Sequence, residues 1–163
     1  TAYEIMPSLV GSEMCIRDSP PSSLIFRLSN KFRQINFGAQ DCSAVNEFGA
    51  YTGDINSKML KDINCKYTLI GHSERRELYK EDEYLISLKI LSALKANIKP
   101  ILCVGENLNQ KRRILDDAKA ISKSGAFAII IECVIENLAK LITKSISVPT
   151  IGIGASKYCD GQI

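Results

Sequence analysis

The sequence lacks the features that would assign the protein to several specialised classes. Its 163 residues contain no low-complexity tract, and no apolar run approaches the roughly 20 residues that a membrane-spanning helix needs. The formal net charge is only +3, with lysines and arginines interspersed among acidic residues. These absences argue against nucleic acid or a membrane as the main partner. The N-terminus has no charged start followed by a long apolar stretch, so we expect no secretory signal.

No CxxC pair occurs among the six cysteines. Cys65, Cys103 and Cys133 lie in or beside apolar runs, which is typical of buried free thiols. This pattern favours a reduced, cytoplasmic protein over a secreted disulfide-bonded protein or a zinc site.

Residues 1–19 differ from the rest of the chain, because they show neither helical nor alternating apolar periodicity. The piece EMCIRDS within them resembles the translated end of a sequencing-library adapter, which would make the segment an artefact. The alternative is a natural disordered N-terminus. Neither interpretation assigns the segment a function.

From about residue 24, short apolar runs alternate with amphipathic stretches. Strands are predicted at 35–40, 67–72, 99–105, 126–133 and 148–155, and helices at 57–63, 82–96, 114–125 and 135–145. Strands that are apolar on both faces and alternate with helices indicate a parallel sheet covered by helices. No GxGxxG motif follows the first strand, which disfavours a dinucleotide-binding sheet. The predicted fold class is α/β, a partial (β/α)8 TIM barrel of about five parallel strands, because a complete barrel needs about 200 residues or more.

The segment TLIGHSERR, residues 68–76, places His72 where an apolar strand leaves the sheet. Ser73 is predicted to cap the helical turn that follows, and Glu74 to lie in its first residues, where negative charge suits the helix dipole. Backbone donors at this helix start would disfavour a positive charge on His72, and a neutral imidazole can donate a hydrogen bond to a substrate oxygen. The alternative is a half-buried histidine bonded to a backbone carbonyl, and position alone leaves both open.

The blocks GAYTGDI (49–55), IGHSERR (70–76) and KPILCVGE (99–106) follow the order and spacing of the triosephosphate isomerase family, which residues 20–111 resemble almost continuously. The resemblance implies a barrel enzyme that interconverts dihydroxyacetone phosphate and glyceraldehyde 3-phosphate through an enediol, without metal or cofactor. It implies that His72 is the neutral electrophile described for this family, that Ser73 contacts the catalytic base, and that Glu74 is a supporting carboxylate. Thr52 matches a loop that reaches into the partner subunit, which implies a homodimer.

Several parts of that family's catalytic apparatus have no recognised counterpart in this sequence. They are the lysine of the first strand, the glutamate base of the sixth strand, the mobile lid and the late glycine-rich phosphate loops. Losing one acid–base group typically lowers a rate by about 10² to 10⁴. We therefore expect little isomerase activity from this chain.

Beyond residue 111, the blocks GAFAIIIECV (125–134) and VPTIGIGASKYCDGQI (148–163) resemble ketopantoate hydroxymethyltransferase, another (β/α)8 family. The resemblance implies that Glu132 is a general base acting on a keto acid, with Mg²⁺ as cofactor. That family's metal ligands belong to earlier strands, which this chain takes from the other family, so we expect no bound metal. On its own terms Glu132 ends an apolar strand, and the alternative is a salt-bridged strand-end glutamate.

The sequence therefore predicts three segments: an artefact or disordered stretch at 1–19, an isomerase-like half barrel at 20–111, and a hydroxymethyltransferase-like barrel segment at 112–163. Three functional interpretations stay open. They are a triosephosphate isomerase fragment acting on a phosphorylated triose, a hydroxymethyltransferase fragment of pantothenate biosynthesis, and a non-functional chimera.

Overall fold

One parallel sheet organises the chain, and the computed structural model describes residues 17–105 and 111–162 of it. In chain order the elements are β1 Arg17–Asp18, α1 Ser22–Lys31, β2 Asn36–Ala39, α2 Ser57–Asp62, β3 Tyr67–Ile70, α3 Ser73–Leu78, α4 Glu83–Lys95, β4 Lys99–Gly105, α5 Lys111–Lys123, β5 Ala128–Glu132, α6 Glu136–Ser145, β6 Thr150–Ile153 and β7 Gly161–Gln162. Within these ranges the strands follow one another across the sheet in sequence order, from β1 to β7. The α/β class and the five predicted strands are confirmed, and two-residue strands extend the sheet at both edges.

Apolar side chains cover both faces of the central strands. On β4, Leu102 and Val104 pack into the cluster beneath the helices, while Ile101 and Cys103 pack into a second cluster on the opposite face. β5 divides its side chains in the same way, because successive residues of a strand point to opposite faces. Burial on both faces explains why these two strands are continuously apolar in the sequence.

The helices lie between successive strands, and most of them match the predicted positions. Helix α1 is not among the predicted helices, and Ile25 is the one buried residue among its ten. α4 begins at its predicted place, where the side chain of Asp82 accepts a hydrogen bond of 2.8 Å from the backbone N–H of Leu85. None of the helices in the described ranges is long and apolar enough to cross a bilayer.

The cysteines in the described part of the chain range from buried to exposed. Burial raises the pKa of Cys65 to about 11 and that of Cys103 to about 12, so both stay protonated near neutral pH. The prediction that Cys133 is buried is wrong, since this residue is exposed. Cys133 follows the last residue of β5 with a φ of 52°, and this left-handed turn takes it out of the strand before it can pack against the sheet.

Two predictions fall on residues that the structure does not describe. Of the predicted artefact or disordered stretch at 1–19, residues 1–16 lie outside the described residues, and Arg17–Asp18 form β1, which pairs with β2. Residues 106–110, next to the predicted family boundary, also lie outside them.

Candidate functional site

His72 occupies the turn between β3 and α3. Gly71 ends the strand with a φ of 72°, a left-handed conformation that glycine adopts without strain. His72 is the N-cap of α3, and its Nδ1 accepts a hydrogen bond of 3.3 Å from the backbone N–H of Glu74. The prediction that Ser73 caps this helix is wrong, because the imidazole takes the capping position and Ser73 is the first helical residue.

The capping bond selects one tautomer of the His72 ring. A backbone N–H can only donate, so the Nδ1 atom that accepts from Glu74 carries no proton. In the neutral ring the proton is therefore on Nε2. This is the arrangement that a neutral hydrogen-bond donor to a substrate oxygen requires.

Glu132 lies beside His72, at the end of β5. The hydroxyl of Ser73 donates a hydrogen bond of 3.0 Å to Glu132 Oε2, and His72 Nε2 lies 3.8 Å from the same oxygen. Both side chains are partly accessible to solvent, 29% for His72 and 23% for Glu132. The structure thus brings together site residues that were predicted from resemblances to two different families. We call these three residues the His72–Ser73–Glu132 cluster.

Gly105 lies next to this cluster, on the strand between its two halves. β4 lies between β3 and β5, and its last residue, Gly105, pairs with Glu132. A Cβ atom at position 105 would lie 3.6 Å from Glu132 Cβ and 3.8 Å from Glu132 Oε2. The Ser73–Glu132 hydrogen bond thus joins the helix that follows β3 to the end of β5, past the end of β4.

The other predicted site residues lie at the edge of the cluster or away from it. Glu74 Oε2 is 3.7 Å from His72 Nδ1, but its side chain is 77% exposed, so water screens this contact. Thr52 lies on the exposed loop that connects β2 to α2. Cys103 lies on the face of the sheet opposite the helices, and its pKa is raised by burial first and by the charge of Glu132 second.

The cluster places a carboxylate and a hydrogen-bond donor side by side. The 3.8 Å between His72 Nε2 and Glu132 Oε2 is too long for a hydrogen bond, so the Nε2–H group keeps its capacity to donate to a ligand. A carboxylate beside such a donor can remove a proton from carbon while the donor stabilises the charge that develops on a neighbouring oxygen. This is the chemistry of proton transfer next to a carbonyl.

Comparison with known proteins gives consistent results. Residues 10–141 match the family Triosephosphate isomerase. The triosephosphate isomerase of Finegoldia magna is 48% identical over 101 residues, which are 61% of this chain and 39% of that protein. The enzyme of Xanthomonas axonopodis pv. citri is 41% identical over 120 residues, 67% of this chain and 47% of that protein. The chain thus spans less than half the length of these curated relatives.

The fold comparison extends further along the chain. The crystal structure of triosephosphate isomerase from Bartonella henselae matches with a TM-score of 0.73 at 22% identity, over 90% of this chain and 78% of that chain. This confirms the predicted partial TIM barrel. The family match passes the predicted boundary near residue 111 and ends at 141, so the assignment of 112–163 to a second family stays a prediction. Because the match covers most of the residues, the chain belongs to the triosephosphate isomerase family.

Proposed function

We propose that the His72–Ser73–Glu132 cluster carries out the proton transfers of an aldose–ketose isomerase whose substrate is a small phosphorylated triose. One observation carries the proposal: His72 Nε2 and the Ser73 hydroxyl converge on the same carboxylate oxygen of Glu132. Membership of the isomerase family and the names of its relatives support the choice of substrate class.

In the proposed reaction, the Glu132 carboxylate removes a proton from the carbon beside the substrate carbonyl. The electrons of that C–H bond form a carbon–carbon double bond, and the carbonyl electrons move to the oxygen, to which His72 Nε2–H donates. His72 then exchanges protons between the two oxygens of the enediol, and Glu132 returns its proton to the neighbouring carbon. Ser73 holds the carboxylate in place until the substrate enters.

We propose that this polypeptide alone turns over slowly. It aligns with 39% of the Finegoldia relative, and the family's lysine and lid have no recognised counterpart in it. Positioning of the substrate and exclusion of water contribute a large part of the rate of such enzymes. Without the lysine and the lid, the rate of proton transfer in the cluster is therefore lower. Proton exchange is therefore a more sensitive measure of function here than complete isomerisation.

A deuterium exchange assay tests the proposal. The chain is incubated with dihydroxyacetone phosphate in D₂O, and proton NMR follows loss of the exchangeable C–H signal. We expect exchange above the buffer rate, lowered by about 10² in His72→Gln, because the donor to the carbonyl is removed. Lys61→Met is the control, since Lys61 is an exposed residue that bonds the backbone of Asn97, away from the cluster. Equal exchange in the wild-type chain and His72→Gln would contradict the proposal.

We also propose that the chain forms a homodimer through the loop that carries Thr52. Phe48 and Tyr51 in this loop have 63% and 47% of their surface exposed, an apolar area that a partner subunit would cover. Phe48→Arg is expected to shift the chain to monomer in sedimentation experiments, because it introduces a charge at the interface. Phe26→Arg is the matched control, since Phe26 is 61% exposed on α1. A monomeric wild-type chain, or equal effects of the two changes, would argue against this interface.

The hydroxymethyltransferase fragment and the non-functional chimera remain predictions from residues 112–163. Mg²⁺-dependent exchange at the α-carbon of ketoisovalerate that is lost in Glu132→Gln would favour the first. Absence of both exchange activities would favour the second. A cytoplasmic location is likewise a proposal, based on the absence of CxxC pairs.

A further inference from the structure

Four charged side chains form a network of ion pairs between α3 and α4. Arg75 Nη2 lies 2.9 Å from Asp41 Oδ2, and Arg75 Nε donates to Glu81 Oε1 at 2.8 Å. Lys89 Nζ donates to Glu81 Oε1 at 2.6 Å and to both carboxylate oxygens of Asp41 at 2.7 Å. The side chains of Lys89 and Glu81 are 5% and 2% exposed. We call these four residues the charge network.

The charge network joins separate parts of the fold. Asp41 follows β2, Arg75 is on α3, Glu81 lies between α3 and α4, and Lys89 is on α4. Arg75 is therefore the member that connects the helix capped by His72 to the rest of the network.

Polar and charged contacts, rather than apolar packing, fix the position of α3. It is six residues long and none of them is buried, so apolar packing holds it weakly. Arg76 also anchors it, because its Nε donates a hydrogen bond of 2.8 Å to the carbonyl oxygen of Gly71 and its Nη1 pairs with Glu83 on α4. The hydrogen bond from Ser73 to Glu132 holds its first turn. The orientation of His72 and Ser73 thus depends on these polar contacts, those of the two arginines among them, rather than on core packing.

Stability alone does not account for the charge network. Burial, with a smaller contribution from the negative charge of Glu81, raises the pKa of Asp41 although Lys89 and Arg75 lie beside it. The two cations therefore do not fully offset the cost of burying this charged carboxylate. Buried ion pairs often give no net stabilisation over apolar packing, and setting a specific geometry is one reason that proteins retain them.

We propose that Arg75 is a positioning residue, which sets the orientation of His72 and Ser73 towards Glu132 through the charge network. The expected effect of Arg75 on the reaction rate rests on the function proposed above. Its expected effect on the orientation of His72 and Ser73 does not. The Arg75 side chain contacts Asp41, Glu81 and the ring of Tyr79 rather than the side chains of the cluster. It acts by fixing α3, whose first turn supplies the donor to His72 Nδ1 and the hydroxyl that bonds Glu132.

The test uses His72 itself as the reporter, because it is the one histidine of the sequence. Nitrogen-15 NMR of the imidazole distinguishes the Nε2–H tautomer from a mixture of tautomers. We compare the wild-type chain with Arg75→Lys, which keeps the charge but loses the planar fork. A second variant, Arg75→Met with Glu81→Gln, keeps the net charge of the network unchanged. Lys61→Met is the control, and thermal unfolding shows which variants fold.

We expect the wild-type chain and the control to show the Nε2–H tautomer, and both Arg75 variants to show a mixture. In the deuterium exchange assay, kcat should fall by about 10- to 100-fold with KM changed by less than about threefold, because misplacement of about 1 Å costs a factor of this size. An unchanged imidazole spectrum in a folded Arg75 variant would overturn the proposal. A changed spectrum in a chain without exchange activity would support the positioning role and contradict the proposed function.

Discussion

Glu132→Gln is expected to lower deuterium exchange by about 10² to 10⁴, the usual loss when a general base is removed. The amide of glutamine has nearly the shape of the carboxylate and can still accept the hydrogen bond from Ser73, but it cannot take a proton from carbon. Proton NMR in D₂O gives the rate, and thermal unfolding should give nearly the same midpoint as for the wild-type chain. The loss is therefore one of chemistry rather than of folding.

Two further substitutions sharpen this experiment. Glu132→Asp keeps the charge but draws the carboxylate back by one methylene, so its exchange rate should lie between those of the wild-type chain and Glu132→Gln. Glu136→Gln is the matched control, because Glu136 lies four residues further along the chain, exposed in the first turn of α6. If Glu132→Gln and Glu136→Gln lose the same small amount, Glu132 is a strand-end ion-pairing residue and not a base.

Leu102→Ala is expected to lower the free energy of unfolding by about 2 to 5 kcal/mol. Leu102 is completely buried on β4, and that strand pairs with β3 on one side and β5 on the other. Truncation removes apolar surface and leaves a cavity between the sheet and the helices. Small domains are stable by only about 5 to 15 kcal/mol in total, so this one change removes a large part of the stability.

Urea unfolding followed by circular dichroism measures this effect. Leu141→Ala provides the comparison, because Leu141 is 48% exposed on α6 and its loss should change the free energy by no more than about 0.5 kcal/mol. Similar effects of the two substitutions would mean that the sheet is not packed as the structure describes. A loss of proton exchange in Leu102→Ala would also be expected, since β4 separates the two halves of the cluster.

Much of the fold could be predicted because β4 and β5 are buried on both faces. Their continuous apolar runs are enough to identify them as strands of a covered parallel sheet. The two-residue edge strands could not be predicted, since strands so short carry no periodicity. The exposure of Cys133 could not be predicted either, because a positive φ in a residue other than glycine leaves no mark on the apolar pattern.

The candidate site could be predicted only residue by residue, not as an assembled cluster. The TLIGHSERR motif identifies His72 and its helix, but it does not show that the imidazole caps that helix in place of Ser73. The contact between Ser73 and Glu132 joins residues 59 positions apart, and it depends on the register of β4 against β5. The sequence does contain a signal for the cluster, because its residues come at or just after the ends of predicted strands. Side chains at these positions lie at the same edge of a parallel sheet.

The sequential order of the strands has a consequence for how the protein forms in the cell. Each strand pairs with the one made immediately before it, so a partner is already present when the next strand leaves the ribosome. No pairing within the described sheet has to wait for a distant segment. The entropy lost in closing the loop between two paired strands is therefore small compared with that of parallel sheets whose neighbouring strands are far apart in the sequence. Assembly can therefore advance along the nascent chain one strand at a time.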